Sequence, residues 1–427
     1  MIHDSKNRSN SLNKLGFLDL GRELAAVESS KFRTGVDEGV VIDRRTVLVI
    51  FGTVALYGME RGVIEIFDLL RPEVDPHFLI SRTPRRLGLP IFDEIEKRRL
   101  PYSFLSDHRG WERLGKPRSL SHLWKMLFGL CRGNIDALRE IRSRDILYIP
   151  NLMAALYAVA AILYCRISGR RVIYHFHDLQ ALDQWILSAV SIFVTDFVHN
   201  TKVGRGAVQL SNIHLRKKRN HIIPFPVRTR TTIGEDASVL PRSNGKRSVL
   251  FMGQVSRHKG VDILLDAFEI LAKSREDLVL NIVGGCDDPA LRQRLENGMV
   301  GNGCEVKWWG YQSDVRPFLR EAYVYVQPSP PSRFHESFGI GLVEAMSFGI
   351  PSVCFRSGAF KEIMIHEETG LICEDERPQA LAESMQRLLG DIDLRTYCGQ
   401  QALKHYDDHY SLALVKEKWL GMLLESC

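Results

Sequence analysis

The sequence predicts an α/β fold of two Rossmann-like domains, each with a doubly wound parallel sheet, facing each other across a cleft. Three observations lead there. Short apolar runs such as Thr46–Phe51 (TVLVIF), Arg171–Phe176 (RVIYHF) and Leu278–Val283 (LVLNIV) alternate with segments of helical period along most of the chain. At 427 residues the chain is too long for one typical domain. The stretch 228–246, RTRTTIGEDASVLPRSNGK, is polar and has no apolar stripe, as a linker between two such series would be.

Residues 1–45 show no clear periodicity apart from a short helical pattern around Leu20–Val27. Thr46–Phe51 is the first buried strand; it enters the glycine-containing GTVALYG and then the helical MERGVIEIFDLLR. Gly52 and Gly58 do not complete G-x-G-x-x-G, so no dinucleotide fingerprint is present. That turn is read either as a phosphate or acceptor loop or as a plain βα turn. Further strands are expected at 77–81, 101–105, 145–149, 171–176 and 194–199. Helices are expected within 108–144 and at 152–167, 183–193 and 203–210. Past the linker the pattern resumes with strand Ser248–Met252, helix Val261–Lys273 and strand Leu278–Val283. A helix near 290–297, strand Glu305–Trp308, helix Val315–Ala322 and strand 324–327 follow. Strand Pro351–Phe355, a short helix at Lys361–Ile365, helix Pro378–Leu389 and two or three terminal helices complete the chain.

The apolar run Leu147–Cys165 approaches the length of a membrane span. Pro150 and Asn151 divide it into strand, turn and helix, and a β-α-β crossover accounts for it better. The first residues, MIHDSKNRSNSLNKLGF, lack the apolar centre of a signal peptide. Eight cysteines form no C-x-x-C pair and several lie in apolar runs, which favours small buried hydrophobes in a reducing compartment. A cytoplasmic protein is therefore expected. The net charge of +6 and pI near 8.8 are mildly basic. The clusters RISGRR (166–171) and LRKKRN (215–220) suit either ordinary solvated faces or an anionic partner, such as the inner face of a membrane. No nucleic-acid partner is expected.

The chemistry concentrates in residues 334–353, FHESFGIGLVEAMSFGIPSV. A strand, a Pro-rich loop and a glycine turn lead into a helix whose N-terminal N–H groups make an anion site. Glu336 lies before that helix and Glu344 within it, with Gly339 and Gly341 between them. Two carboxylates beside an anion site are anomalous unless they meet hydroxyl groups, and a sugar supplies those.

Taken with its neighbours, this segment resembles the glycosyl transferases group 1 family of nucleotide-sugar enzymes. The resemblance rests on FMGQVSRHKGVDILLDAF (251–268), LNIVGG (280–285), GYQSDV (310–315), VQPSPPSRFHESFGIGLVEAMSFGIPSV (326–353) and GAFKEIMIHEETGLIC (358–373). The N-terminal half matches only through YGMERGVIEIFDLL (57–70) and IYHFHD (173–178). The resemblance implies the GT-B fold, with C-terminal helices packing back on the N-terminal domain. It divides the chain into an extension (1–45), an acceptor domain (46–227), a linker (228–246), a donor domain (247–395) and C-terminal helices (396–427).

By the resemblance, Glu336 touches the donor sugar near the reacting carbon and Glu344 holds the ribose. Backbone N–H groups of Ser337, Phe338, Gly339 and Ile340 face the diphosphate, and Lys259 neutralises it as it departs. The family pattern begins Gly-Arg where this chain has Gly253-Gln254, and Arg257 is the candidate to supply the missing charge. His177 matches the histidine that faces the sugar from the N-terminal domain; a structural histidine, or a metal pair with His175, is the other reading of its position. Gly58 matches the loop near acceptor and phosphates. The implied reaction is retaining transfer of a hexose-type sugar to a hydroxyl, without a protein nucleophile and with neither a cofactor nor a protein-held metal. A lipid-linked saccharide in surface polysaccharide or glycolipid synthesis is the expected acceptor setting. The alternatives are a non-catalytic nucleotide-sugar-binding homologue or a nucleotide-sugar epimerase on the same scaffold.

Overall fold

A computed structural model of the chain describes residues 44–51, 58–81, 90–106, 120–177, 184–211, 218–227, 245–298 and 302–425. The expected helix near Leu20–Val27, most of the 1–45 extension and nearly all of the 228–246 linker lie outside them, as does the turn at 52–57. Residues 44–427 form one compact unit.

The first half holds β1 (Arg45–Phe51), α1 (Gly58–Leu70), β2 (Val74–Ser81), α2 (Pro90–Lys97), β3 (Tyr102–Leu105), α3 (Leu120–Ile141) and β4 (Ile146–Ile149). It continues with α4 (Leu152–Tyr157), α5 (Val159–Ile167), β5 (Arg171–Phe176), α6 (Gln184–Phe193), β6 (Asp196–His199), α7 (Lys202–Ser211) and β7 (Arg219–Ile222). Its strands form a parallel sheet in the order β3-β2-β1-β4-β5-β6-β7. Pro76 lies in β2, an inner strand, but pairing with β3 begins only at Phe78. The missing N–H therefore interrupts no ladder on that side.

The second half holds β8 (Arg247–Met252), α8 (Val261–Ala272), β9 (Leu278–Val283), α9 (Pro289–Glu296), β10 (Glu305–Trp308), α10 (Arg316–Glu321) and β11 (Ala322–Gln327). Then come α11 (Ile340–Ser347), β12 (Ser352–Phe355), α12 (Phe360–Ile363), β13 (Gly370–Cys373), α13 (Pro378–Gly390), α14 (Ile392–His409) and α15 (Leu412–Leu424). This sheet is also parallel, in the order β10-β9-β8-β11-β12-β13. In each sheet the order reverses between neighbours, at β1/β4 and at β8/β11. Such a reversal leaves a crevice beyond the carboxyl ends of the strands, where ligands of open α/β sheets bind.

The expected helix over 152–167 is two helices broken at Ala158. The cause is Asn134 on α3. Its Nδ2 donates to Leu156 O at 2.9 Å and its Oδ1 accepts from Ala160 N at 2.9 Å, serving both backbone groups freed by the break. The strand β13 was not expected; four residues after a β-turn give too short an apolar run to register as one. The Leu147–Cys165 run is β4, α4 and α5, and no described helix is long and apolar enough to cross a membrane. Cys165, Cys286, Cys304, Cys354, Cys373 and Cys398 are buried, free thiols.

The last helix closes the molecule. Trp419 on α15 is fully buried, and its indole N–H donates to Pro224 O at 3.1 Å. Arg171, at the start of β5, donates to the carbonyls of Met422, Leu423 and Glu425, where a cation complements a helix C-terminus. The same guanidinium pairs with buried Asp196, which also receives Arg219, His221 and Thr195. The C-terminal helix is thereby fixed onto the first half, as the fold class required.

Candidate functional site

The loop between β11 and α11 is shaped by close backbone contacts. Gly339 is the N-cap of α11 at φ +98°, and a Cβ there would fall 2.5 Å from the Phe360 ring. Gly358, at φ +49°, lets Ala359 N reach Glu336 O at 2.8 Å; a Cβ would fall 2.1 Å from that same oxygen. Glu336 is therefore held by its own backbone before its side chain makes any contact.

That side chain is buried, with 6% of the residue exposed. Its Oε1 accepts from Lys259 Nζ at 2.7 Å and from Ser329 Oγ at 2.6 Å. The Lys259 ammonium also lies 4.2 Å from the centre of the Phe334 ring. A polar chain continues inward, with Gln327 Nε2 donating to Ser329 Oγ at 3.3 Å and Tyr325 Oη to Gln327 Oε1 at 2.5 Å. Lys259 comes from the turn after β8 and Glu336 from the loop after β11, the two strands at the order reversal. The topology thus brings together two residues 77 positions apart.

Glu344 lies within α11 and is also buried. Burial raises its carboxyl above the usual range, and the opposing charge of Arg61 only partly offsets that. Arg61 Nη2 meets Glu344 Oε1 at 2.7 Å. Arg61 belongs to α1 of the first half, so this pair crosses between the halves. The sequence reading gave it no role, although it lies inside the quoted segment YGMERGVIEIFDLL. Gly58, the first residue of α1, lies on the same crossing: a Cβ there would be 3.8 Å from Ile340 Cδ1.

Three further contacts join the halves. Thr201 Oγ1 donates to Ser337 O at 3.1 Å. The Glu362 carboxylate accepts from Lys202 N and Val203 N, each at 3.0 Å, and so caps α7 from the opposite half. Phe225 meets Phe338 edge-on at 5.9 Å. Between the halves a cavity of about 90 Å³ remains, bordered by Arg61, Glu65 and Arg98 on one side and Tyr311, Ser313 and Glu344 on the other.

His177 follows β5 at the carboxyl edge of the first sheet. Its ring stacks on Phe225 at 5.2 Å and 9°, next to His175 at 3.9 Å. Both of its ring nitrogens are buried and find no hydrogen-bond partner among the described residues. Burial, with a smaller contribution from His175, holds its pKa well below the ordinary value, so the ring is neutral. His175 differs. Its Nε2 lies 2.9 Å from Asn200 Oδ1 and its Nδ1 contacts the Tyr148 hydroxyl, so both nitrogens are engaged within the protein. No group of three or more His, Cys, Asp or Glu side chains among the described residues is placed to hold a metal ion.

The turn after β8 divides the remaining candidates. Gly253 N donates to Val283 O at 2.9 Å and Gln254 is exposed. Arg257 is turned to Asp288 at 3.1 Å and to Asp262 at 3.8 Å. It therefore does not join the Lys259–Glu336 pair.

Residues 233–405 match the model of the family described as glycosyl transferases group 1. An uncharacterized glycosyltransferase of Haemophilus influenzae is 26% identical over 45% of this chain and 54% of its own length. The phosphatidyl-myo-inositol mannosyltransferase of Mycobacterium leprae is 33% identical over 38% of this chain and 43% of its own. The chain thus spans about half the length of the curated relatives it matches. Among solved structures, Anabaena HepE in complex with UDP and glucose superposes with a TM-score of 0.69, at 16% identity, over 89% of this chain and 100% of that one. Sucrose-phosphate synthase of Thermosynechococcus elongatus gives 0.67, at 18% identity, over 89% and 98%. These likenesses carry the fold, which is GT-B: two facing parallel sheets with the last helix returned to the first half. The matched stretch runs from before β8 into α14, so the likeness to the glycosyl transferases group 1 family lies in the second half of the chain.

Proposed function

We propose that the chain transfers a hexose-type sugar from a nucleoside diphosphate sugar to a hydroxyl group, with retention of configuration. The observation that carries this reading is the pair of buried carboxylates around the start of α11, each matched to a cation. Glu336 is paired with Lys259, and Glu344 with Arg61. A carboxylate accepts hydrogen bonds from sugar hydroxyls, and a fixed ammonium stabilises a departing diphosphate. Between the two carboxylates, at the N-terminal end of α11 where an anion is favoured, the N–H groups of residues 337–340 are assigned to the diphosphate. The relatives' names and the UDP and glucose held by HepE support the same donor class.

In this reading Lys259 leaves Glu336 for the diphosphate, and Glu336 turns to the sugar. Glu344 leaves Arg61 for the ribose, and His177 meets the sugar from the opposite side. The acceptor oxygen attacks the anomeric carbon on the face from which the diphosphate oxygen departs. The C–O bond to the diphosphate breaks as the new glycosidic bond forms, and the diphosphate oxygen takes the acceptor's proton. Catalysis rests on positioning and charge, with no cofactor and no protein-held metal assigned. A lipid-linked saccharide in surface polysaccharide or glycolipid synthesis, met at the cytoplasmic face of a membrane, is the proposed acceptor.

A nucleotide-binding protein without transfer is the second reading, and Gln254 in place of the family's arginine favours it. Incubation with a panel of UDP- and GDP-sugars and lipid-linked acceptors, following nucleoside diphosphate release, separates the two. Release dependent on both donor and acceptor supports transfer. Tight nucleotide binding without release from any donor contradicts it.

A further inference from the structure

The side of the first sheet covered by α3, α5 and α6 carries large apolar residues that the fold does not bury. On α3, Trp124 is 69% and Phe128 60% exposed, and Leu127, Cys131 and Ile135 are exposed with them. These positions recur at spacings of three and four and so form one stripe along the helix. Val159, Leu163 and Ile167 repeat the arrangement on α5, and Ile167 is 88% exposed. Ile192 and Phe193 end α6 in the same way. Helices α3 and α5 pack against each other, and α5 against α6. The three stripes therefore make one surface, not scattered apolar residues of the ordinary kind.

Among the described residues of these three helices, the exposed charges have one sign. Neither α5 nor α6 contains an Asp or Glu. On α3 both acids are half-buried and engaged: Asp136 accepts from Ser106 N at 2.7 Å, and Glu140 binds Arg144 and Ser103. The exposed charged positions are basic. Arg132 lies over the Phe128 ring at 4.7 Å, and Arg139 and Arg166 share the stripes of their helices. Lys218 donates to Ile192 O at 3.1 Å, and its pKa is lowered by burial and by the nearby charge of Arg166. Apolar side chains flanked by cations with long aliphatic stems match the boundary between acyl chains and anionic headgroups.

We propose that this face of α3, α5 and α6 docks the protein on an anionic lipid bilayer. Helix α3 runs back along the sheet to feed β4, so its N-terminal end with Trp124 lies toward the carboxyl edge of the strands, the edge that carries His177. At ~1.5 Å per residue its length is about 33 Å, which is enough to reach from one edge of the sheet to the other. A docked molecule would present its cleft beside the bilayer. That consequence rests on the proposed transfer to a lipid-linked acceptor, whereas the docking does not.

The full chain, without donor or acceptor, is sedimented with vesicles of phosphatidylcholine alone and of phosphatidylcholine with phosphatidylglycerol in equal parts. Binding to the mixed vesicles is expected to be tighter by at least about tenfold and to fall as salt is raised. Trp124→Ser combined with Phe128→Ser and Ile167→Ser is expected to lose about tenfold or more of that binding. Arg132→Glu with Arg166→Glu is expected to lose a similar factor, by charge instead of apolar area. All five substitutions are at exposed positions, and an unchanged melting midpoint confirms folding. Equal vesicle binding by wild type and both variants overturns the proposal. So does the absence of vesicle binding together with a concentration-dependent dimer, in ultracentrifugation, that the apolar variant abolishes; the face would then serve a second copy of the chain.

Discussion

Arg61 on α1 and Glu344 on α11 meet at 2.7 Å across the two halves of the molecule, so the carboxylate proposed for the ribose is already held by a cation from the opposite side. The cavity beside that pair, about 90 Å³, is smaller than the ~300 Å³ at the low end of small-molecule sites. In the proposed reading the ribose takes the place of Arg61 on Glu344, so this pair breaks when the donor binds.

If the pair fastens the two halves together, its members are coupled. Arg61→Met leaves Glu344 buried without a cation and is expected to lower stability by about 1–3 kcal/mol. Arg61→Met with Glu344→Met is expected to recover much of that loss. Denaturant unfolding of the two single variants and the double variant measures the coupling. Additive losses would show that the pair contributes nothing to joining the halves.

His177 separates stability from activity. Its two nitrogens are buried without partners, so His177→Phe keeps the stack on Phe225 and removes a desolvated polar group. Stability is expected to hold or rise, while kcat/KM for the donor falls roughly tenfold to a hundredfold. Because the ring is neutral, the pH–rate profile of the wild type is expected to show no limb from His177 near its ordinary value of 6.5. Thermal unfolding and donor kinetics on the one variant check both halves of the prediction.

Asp196 controls acid stability. Burial alone would raise its carboxyl, but hydrogen bonds from His221, Arg171 and Thr195 outweigh that and hold it well below its ordinary 3.8. A depressed carboxyl contributes stability above that ordinary value and loses it as pH falls toward the folded-state value. At neutral pH, Asp196→Asn is expected to cost about 3–5 kcal/mol, because Arg171 stays buried without an anion. The gap between wild type and variant is expected to narrow as pH falls below 3.8. Unfolding midpoints measured across that range check it.

The elements legible in the sequence were those with strong local periodicity. Strands such as Leu278–Val283 and helices such as Val261–Ala272 are written in consecutive residues, and the carboxylates at 336 and 344 share one motif. The break at Ala158 was not legible, because the side chain that makes it, Asn134, is 26 residues from Ala160. Arg61 and Ser329 were likewise hidden. Only tertiary contact shows that one pairs with Glu344 and the other with Glu336. The contact of Arg257 with Asp288, 31 positions further on, was hidden in the same way.

The central claim is that Glu336 and Glu344 divide the donor between them, sugar and ribose, and one paired measurement tests it directly. Calorimetric titration with UDP and GDP is combined with donor-dependent diphosphate release on Glu336→Ala and Glu344→Ala. Glu336→Ala is expected to keep nucleotide affinity within about twofold while release falls by ~10²-fold or more. Glu344→Ala is expected to lose nucleotide affinity by roughly tenfold or more. Wild-type nucleotide affinity in Glu344→Ala, or wild-type release in Glu336→Ala, would contradict the assignment.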